Sequence, residues 1–282
     1  MIEKQYGIIG KPLGHSLSPT LHNFWFRKNN LKANYSLIEI EKEQINDVIK
    51  KIKTKELHGI NVTVPYKQEI IPYLDLIIND AKETDSINTV YLNSENKIVG
   101  ENTDVYGFEK SFINKIAIKN LTDKFFLILG AGGVAPSLIY ALKKRKIKNI
   151  FISNRTFKKA ENIKKKFPFI EIIPWEKITQ RTNDFDVLIN ATSLGMKDSS
   201  DFNILFQKFK PELVYYDVVY NPLETKLLKN FKESKIKTFN GLEMFLYQGQ
   251  KSFSLWNNKV PIVDEELKKE IIFKLEKQQC KS

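Results

Sequence analysis

Phe125-Phe126-Leu127-Ile128-Leu129-Gly130-Ala131-Gly132-Gly133-Val134-Ala135 is the stretch whose reading decides the fold. An apolar run ends on a glycine cluster, and the cluster opens the helical segment Pro136-Ser137-Leu138-Ile139-Tyr140-Ala141-Leu142. Strand, glycine turn and helix follow in the order that a dinucleotide pyrophosphate needs. Gly130 permits the tight turn, Gly132 lets the backbone approach the phosphates, and Ala135 is small enough for helix and strand to pack. The helix start adds unpaired N–H groups and the positive end of the helix dipole. Gly130, Ala131, Gly132, Gly133, Val134 and Ala135 are therefore candidate cofactor-binding residues.

The next strand qualifies the nucleotide. Asn149-Ile150-Phe151-Ile152-Ser153 runs into Asn154-Arg155-Thr156, where an NAD-binding chain usually carries a carboxylate for the ribose hydroxyls. A carboxylate would repel a 2′-phosphate, whereas a guanidinium fork suits one. Asn154, Arg155, Thr156 and Lys159, with Lys158 beside them, point to NADP. The plain alternative is a solvated basic start to a helix.

Beyond this turn the alternation continues. Strands are expected at Ile170–Ile173, Val187–Asn190, Val214–Val218 and Lys237–Thr238, with helices between most of them. Such alternation implies a parallel sheet covered on both faces. The first hundred residues alternate too. Tyr6–Gly10, Tyr35–Ile40 and Gly59–Val64 read as strands, and Ile87–Leu92 with Lys97–Val99 as a short strand pair. Ser18-Pro19 reads as the cap of a helix through Leu21, Trp25 and Phe26. Ile45, Val48, Ile49 and Ile52 keep helical spacing. From Gly241 the chain is helical, with no further strand. The expected fold is α/β with two domains, an N-terminal α/β substrate domain and a Rossmann-type doubly wound nucleotide domain, with a cleft between them. The expected boundaries are 1–105, completed by 241–282, and 106–240.

The chain has 282 residues, of which 42% are hydrophobic, enough for a real core. No stretch approaches the roughly 18 uninterrupted apolar residues of a membrane span. Met1-Ile2-Glu3-Lys4 enters a strand at once and lacks the design of a signal peptide. With one cysteine, Cys280, no intrachain disulfide can form, which fits a reducing cytoplasm. Cys280 itself reads as an exposed, idle thiol. The net charge of +12 is nearly all lysine, scattered along amphipathic helices. No aromatic-interleaved basic tract, zinc pattern or recognition helix accompanies it, so nucleic acid is not the expected partner. A positive field still favours encounter with anionic small molecules.

Three polar clusters mark the first domain. Gly14-His15-Ser16-Leu17-Ser18-Pro19 sets Ser16 and Ser18 at alternate positions before a helix, where a carboxylate is welcome. Asn61-Val62-Thr63-Val64-Pro65-Tyr66-Lys67 ends a strand and projects a lysine from its tip. Ile87-Asn88-Thr89 and Glu101-Asn102-Thr103-Asp104 add amides and a carboxylate. Each has an ordinary structural reading: Ser16 and Ser18 as helix caps, Lys67 as a surface lysine, Asp104 as the cap of a helix near Tyr106. His15, His22 and His58 have no metal-ligand spacing and read as structural or solvent-facing. No metal site is expected.

Taken together, in order, these segments resemble the shikimate dehydrogenase family over nearly the whole chain. Further motifs carry the resemblance: Asn190-Ala191-Thr192-Ser193-Leu194-Gly195, Asp217-Val218-Val219-Tyr220-Asn221-Pro222 and Gly241-Leu242-Glu243-Met244-Phe245-Leu246-Tyr247-Gln248. The resemblance implies reversible, NADPH-dependent reduction of 3-dehydroshikimate to shikimate. It implies that Ser16 and Ser18 hold the substrate carboxylate with help from Tyr220, and that Thr63, Asn88 and Gln248 hold the ring oxygens. Lys67 and Asp104 would form the catalytic pair, with Asp104 also on the substrate. Val218 and Gly241 would lie by the nicotinamide. Val105 departs from the glycine that commonly follows the aspartate, and Asn240 from a frequent aspartate or glycine. A quinate/shikimate dehydrogenase with broader choice, or a non-catalytic sensor of the same ligands, would use the same motifs. Family members occur as monomers and homodimers.

Overall fold

Among the described residues the apolar runs become twelve strands in two six-stranded sheets. The computed structural model describes residues 3–196, 199–200, 202, 206 and 208–279, so Cys280 and the first two residues lie outside it. The chain divides into two units, Met1–Gly107 with Leu246–Ser282, and Phe108–Phe245. The sequence reading put the divisions at 105 and 240. Both divisions fall inside helical segments, where no composition shift marks them.

In the first unit the strands are β1 (Lys4–Gly10), β2 (Ala33–Glu39), β3 (Gly59–Val62), β4 (Leu76–Ile77), β5 (Thr89–Leu92) and β6 (Ile98–Glu101), in the order β2-β1-β3-β5-β6-β4. β1 runs parallel to β2 and β3, β5 is antiparallel to β3 and β6, and β4 is parallel to β6. The two-residue β4 is too short to carry a periodicity that would mark it in the sequence. Its helices are α1 (Ser18–Lys28), α2 (Ile45–Lys53), α3 (Asp80–Thr84) and α4 (Asp104–Phe108). The predicted spacing on α2 buries Ile45, Val48, Ile49 and Ile52 in one cluster with Ile60, Val62, Val90 and Ile98.

A second, aromatic cluster in this unit joins α1 to a later helix. Trp25, Phe26 and Phe253 pack at 5.3–5.7 Å, and fully buried His22 stacks on Tyr35 at 4.4 Å. Burial pushes the His22 imidazole down to about 3, so the ring is neutral in the core. Asn23 faces the other way and clamps the free side of β2. Its carbonyl accepts from Tyr35 N at 2.8 Å, and its amide donates to Tyr35 O at 3.0 Å.

The second unit holds β7 (Phe125–Leu129), β8 (Asn149–Ser153), β9 (Glu171–Ile172), β10 (Val187–Asn190), β11 (Val214–Asp217) and β12 (Lys237–Phe239), in the order β12-β11-β10-β7-β8-β9. Every pairing is parallel. Between strands lie α5 (Ala135–Lys144), α6 (Phe157–Lys166), α7 (Ile178–Arg181) and α8 (Lys226–Glu233). This is the doubly wound order, and its direction reverses between β7 and β10, where ligands of such sheets bind. α9 (Leu242–Asn257) leaves this unit at Phe245 and continues in the first, followed there by α10 (Glu265–Gln279). α10 is tied to α1 by an Arg27–Glu270 ion pair, and Trp25 Nε1 donates to Ile262 O at 2.9 Å.

Candidate functional site

Chain geometry brings Lys67 to Asp104, although 37 positions separate them. β3 ends at Val62, and the turn after it carries Lys67. Ile87 N donates to Lys67 O at 2.9 Å and anchors that turn to the segment before β5. Lys67 Nζ then lies 2.5 Å from Asp104 Oδ2, with the two side chains only 13% and 9% exposed. Asp104 is the first residue of α4, where a carboxylate suits the helix dipole. Its own N–H donates to Asn102 Oδ1 at 2.9 Å, which fixes the helix start.

Asp104 has a second partner. Asn88 Nδ2 donates to Asp104 Oδ1 at 2.9 Å, so both carboxylate oxygens are engaged. The Asn88 carbonyl accepts from Thr103 N at 2.8 Å and from the Thr103 and Thr89 hydroxyls at 3.1 Å each. The lysine, amide and carboxylate singled out from three separate motifs thus form one constellation. The ammonium is positioned by a carboxylate that is itself held rigidly, which is an arrangement suited to moving a proton.

The Ser16 and Ser18 hydroxyls also meet, at 3.2 Å. The reading of Ser18-Pro19 as the cap of α1 needs correction. Leu17 occupies the cap position without a side-chain cap bond, Ser18 already lies in α1, and Ser18 N donates to Ser16 Oγ at 3.3 Å. Thr63 follows β3 and packs its methyl against Gly10, where any Cβ would meet it at 2.4 Å. Gln248 sits half-buried on α9, and its backbone carbonyl accepts from Ser252 Oγ at 3.1 Å.

In the second unit the glycine turn follows β7. Gly130 has φ +108°, and a Cβ there would lie 2.8 Å from Ala191 O, so only glycine fits. Gly132 is different: a Cβ built there meets nothing within 4 Å. Packing does not require glycine at 132, and the open space above it fits a phosphate that must come close to the backbone. Ala135, fully buried, starts α5 behind Val134, and Gly133 completes the turn. Asn154 bridges two parts of this region. Its carbonyl accepts from Ala131 N at 3.0 Å, and its amide donates to Thr156 O at 2.9 Å. Arg155, Thr156 and Lys159 are exposed around it, while Lys158 pairs with Glu161 at 3.3 Å. The residues present fit a pyrophosphate at the turn and a 2′-phosphate at Arg155.

Val218 and Gly241 are pressed together. Gly241 N donates to Val219 O at 3.0 Å, and a Cβ on Gly241 would lie 1.9 Å from Val218 O. Tyr220 stacks on Phe245 with ring centres 4.4 Å apart. Beneath this loop lies a residue that sequence reasoning named only within a motif. Asp217 is fully buried and takes four donors: Thr225 Oγ1 at 2.7 Å, Tyr215 OH at 2.9 Å, and Asn190 Nδ2 and Val219 N at 3.0 Å. Burial raises its carboxyl above the usual range, against the pull of those four donors. Thr225 also caps α8 by accepting from Leu228 N at 3.2 Å, so one carboxylate ties the loops after β10 and β11 to a helix start. The signal available was a carboxylate ending a buried strand, which needs partners wherever it occurs.

Among the described residues no group of three or more His, Cys, Asp or Glu side chains could hold a metal ion, and no helix is long and apolar enough to cross a membrane.

Comparison with known proteins identifies what the chain resembles. Residues 8–90 match the family model described as shikimate dehydrogenase substrate binding domain, and residues 113–197 match the one described as shikimate / quinate 5-dehydrogenase. The shikimate dehydrogenase (NADP(+)) of Pelagibacter ubique is 46% identical over 94% of this chain and 97% of its own length. The crystal structure of the Aquifex aeolicus shikimate dehydrogenase superposes with a TM-score of 0.86 at 38% identity, covering 96% of this chain and 99% of that one. A shikimate dehydrogenase crystallised with NADP+ superposes with a TM-score of 0.88 at 35% identity, covering 97% and 96%.

Proposed function

The chain belongs to the shikimate dehydrogenase family, and from that premise we propose that it reduces 3-dehydroshikimate to shikimate with NADPH, reversibly. The single observation that carries the reading is the enclosed Lys67–Asp104 pair, with Asn88 on the second carboxylate oxygen. NADPH, when bound, supplies the hydride. The protein's own part is to manage charge on the substrate oxygen. As the ketone becomes an alkoxide, the Lys67 ammonium stabilises the growing negative charge and gives up a proton to it. In the oxidative direction the neutral amine takes the hydroxyl proton. Asp104 orients the amine and accepts a hydrogen bond from the reacting hydroxyl.

Ser16 and Ser18, whose hydroxyls meet at 3.2 Å beside a helix start, hold the substrate carboxylate. Thr63, Asn88 and Gln248 hold the ring oxygens. Residues 130–135 and Val218 and Gly241 hold the pyrophosphate and nicotinamide ends of NADP, and Asn154, Arg155, Thr156 and Lys159 the 2′-phosphate. The first unit is thus the substrate domain and the second the NADP domain. The setting is the cytoplasm, a reading supported by the single cysteine, and the enzyme acts as a monomer or homodimer on small molecules, without nucleic acid.

The test is steady-state oxidation of shikimate and of quinate, each with NADP+ and with NAD+, followed by absorbance of the reduced nicotinamide. The expected result is the highest kcat/KM for shikimate with NADP+. Equal or better turnover of quinate would replace the substrate. Binding of both ligands without any cofactor reduction would replace the enzyme with a sensor.

A further inference from the structure

The two ends of an asparagine amide have the same shape, so the environment must choose which end faces Asp104. Three donors converge on the far end of Asn88. Thr103 N lies 2.8 Å from it, and the Thr103 and Thr89 hydroxyls lie 3.1 Å from it. A backbone N–H cannot accept, so the atom facing it is the carbonyl oxygen. The NH2 end is then left for Asp104 Oδ1, 2.9 Å away. Turned over, the amide would set its oxygen against the carboxylate, and an attraction would become a repulsion.

The hydroxyls are themselves held from α9. Ser252 Oγ lies 2.8 Å from Thr89 Oγ1 and 3.2 Å from Thr103 Oγ1. It accepts from Asn61 Nδ2 at 3.0 Å and donates to Gln248 O at 3.1 Å. Thr89 and Thr103 give their single protons to Asn88 Oδ1, so toward them Ser252 is the donor, its one proton divided between Thr89 Oγ1 and Gln248 O. Thr89, Thr103 and Ser252 are each 0% exposed, so no water replaces a lost partner.

We propose that Thr89, Thr103 and Ser252 form a buried hydroxyl cradle whose task is to fix the Asn88 amide, so that a donor always faces Asp104. They are positioning residues for the proton-transfer pair, and the inference rests on the role given to Lys67 and Asp104 above. The cradle also links Asp104 to the backbone of Gln248 through one serine.

The test compares Thr103→Val and Thr89→Val, which keep shape and remove the hydroxyl, with Thr103→Ser and Thr89→Ser, which keep the hydroxyl and remove a methyl. Each is assayed for shikimate-dependent NADP+ reduction, with a thermal melt to score folding. Each Val variant is expected to lose about fivefold to tenfold in kcat, the scale of one neutral hydrogen bond, with the KM for NADP+ unchanged. The Ser variants recover most of that turnover. A role in packing alone predicts the reverse, with Ser harmful and Val harmless, and that pattern overturns the proposal. So does wild-type kcat in both Val variants. If a Val variant does not fold, Ser252→Ala reads the cradle from the helix side. Reduced kcat at unchanged NADP+ KM supports the proposal, and unchanged kcat overturns it. A wild-type chain that fails to oxidise shikimate would instead refute the function, a separate outcome visible before any variant is made.

Discussion

Gly132→Ala should stabilise the protein while weakening its cofactor. The two effects have different origins, and the structure gives the sign of each. A Cβ on Gly132 meets no atom within 4 Å, and this glycine is not among those with positive φ. A substitution of that kind stabilises by about 0.4–1 kcal/mol, because the unfolded chain loses freedom. In a domain of this size that raises Tm by about 1–4 °C. The added methyl, however, occupies the space through which a pyrophosphate must approach the backbone. Loss of that approach is expected to raise the Kd for NADPH by at least about tenfold, or about 1.4 kcal/mol. Calorimetry of the free protein reads the first effect, and titration of nicotinamide fluorescence reads the second. Unchanged NADPH affinity would refute the placement of the phosphates on this turn. A fall in Tm would refute the claim that the space above residue 132 is open.

Gly241→Ala makes the opposite case. Its Cβ would come within 1.9 Å of Val218 O, so the loop must shift. A Tm drop reflecting about 1–3 kcal/mol of overpacking, with kcat down about 10²-fold from a displacement near 1 Å, is expected in melts and kinetics; a silent variant would contradict it. Lys67→Ala should cut turnover by at least about 10²-fold while shikimate affinity changes far less, as equilibrium titration can check. Near-wild-type turnover would remove Lys67 from the chemistry. Arg155→Ala should raise the KM for NADPH by about tenfold or more and leave NADH nearly unaffected. Equal losses would mean that Arg155 does not read the 2′-phosphate. His22 is neutral in the folded core down to about pH 3, whereas in the unfolded chain it takes a proton below about 6.5. Stability should therefore fall as pH drops from about 6.5, by up to about 1.4 kcal/mol per unit from this residue. His22→Phe should flatten that slope in denaturant titrations between pH 6.5 and 4.5, and an unchanged slope would count against a neutral buried ring.

Much of the second unit was readable residue by residue. Five apolar positions, a glycine turn and a small residue at 135 dictate strand, turn and helix, and β7, β8 and β10 begin and end where that pattern says. The first unit was readable in its elements but not in its pairing. Nothing local tells β5 to run antiparallel to β3, and the two residues of β4 exist only because β6 offers them an edge. Motifs named Lys67, Asn88 and Asp104, yet their meeting is a product of topology. Ser252, which no motif contains, and Thr89, Thr103 and Asp217, which motifs contain without a role, share a trait. Ser252 on α9, Thr89 at the start of β5 and Thr103 between β6 and α4 are small hydroxyls in ordinary places, and Asp217 is one more carboxylate at a strand end. Their importance lies in what reaches them through the core, and only the fold decides that.

The Asn23 clamp on β2 has a consequence for how this protein meets other chains. A seven-residue border strand would normally invite a neighbour to continue the ladder, since its outward N–H and C=O groups seek partners. At Tyr35, the third of its residues, that invitation is already answered by a side chain from the same fold. An incoming strand would have to evict an amide before it could zip past Tyr35. Crowded or heat-stressed copies are thereby steered away from fibre-like stacking along this rim, and Asn23→Ala would lift that guard without touching the chemistry.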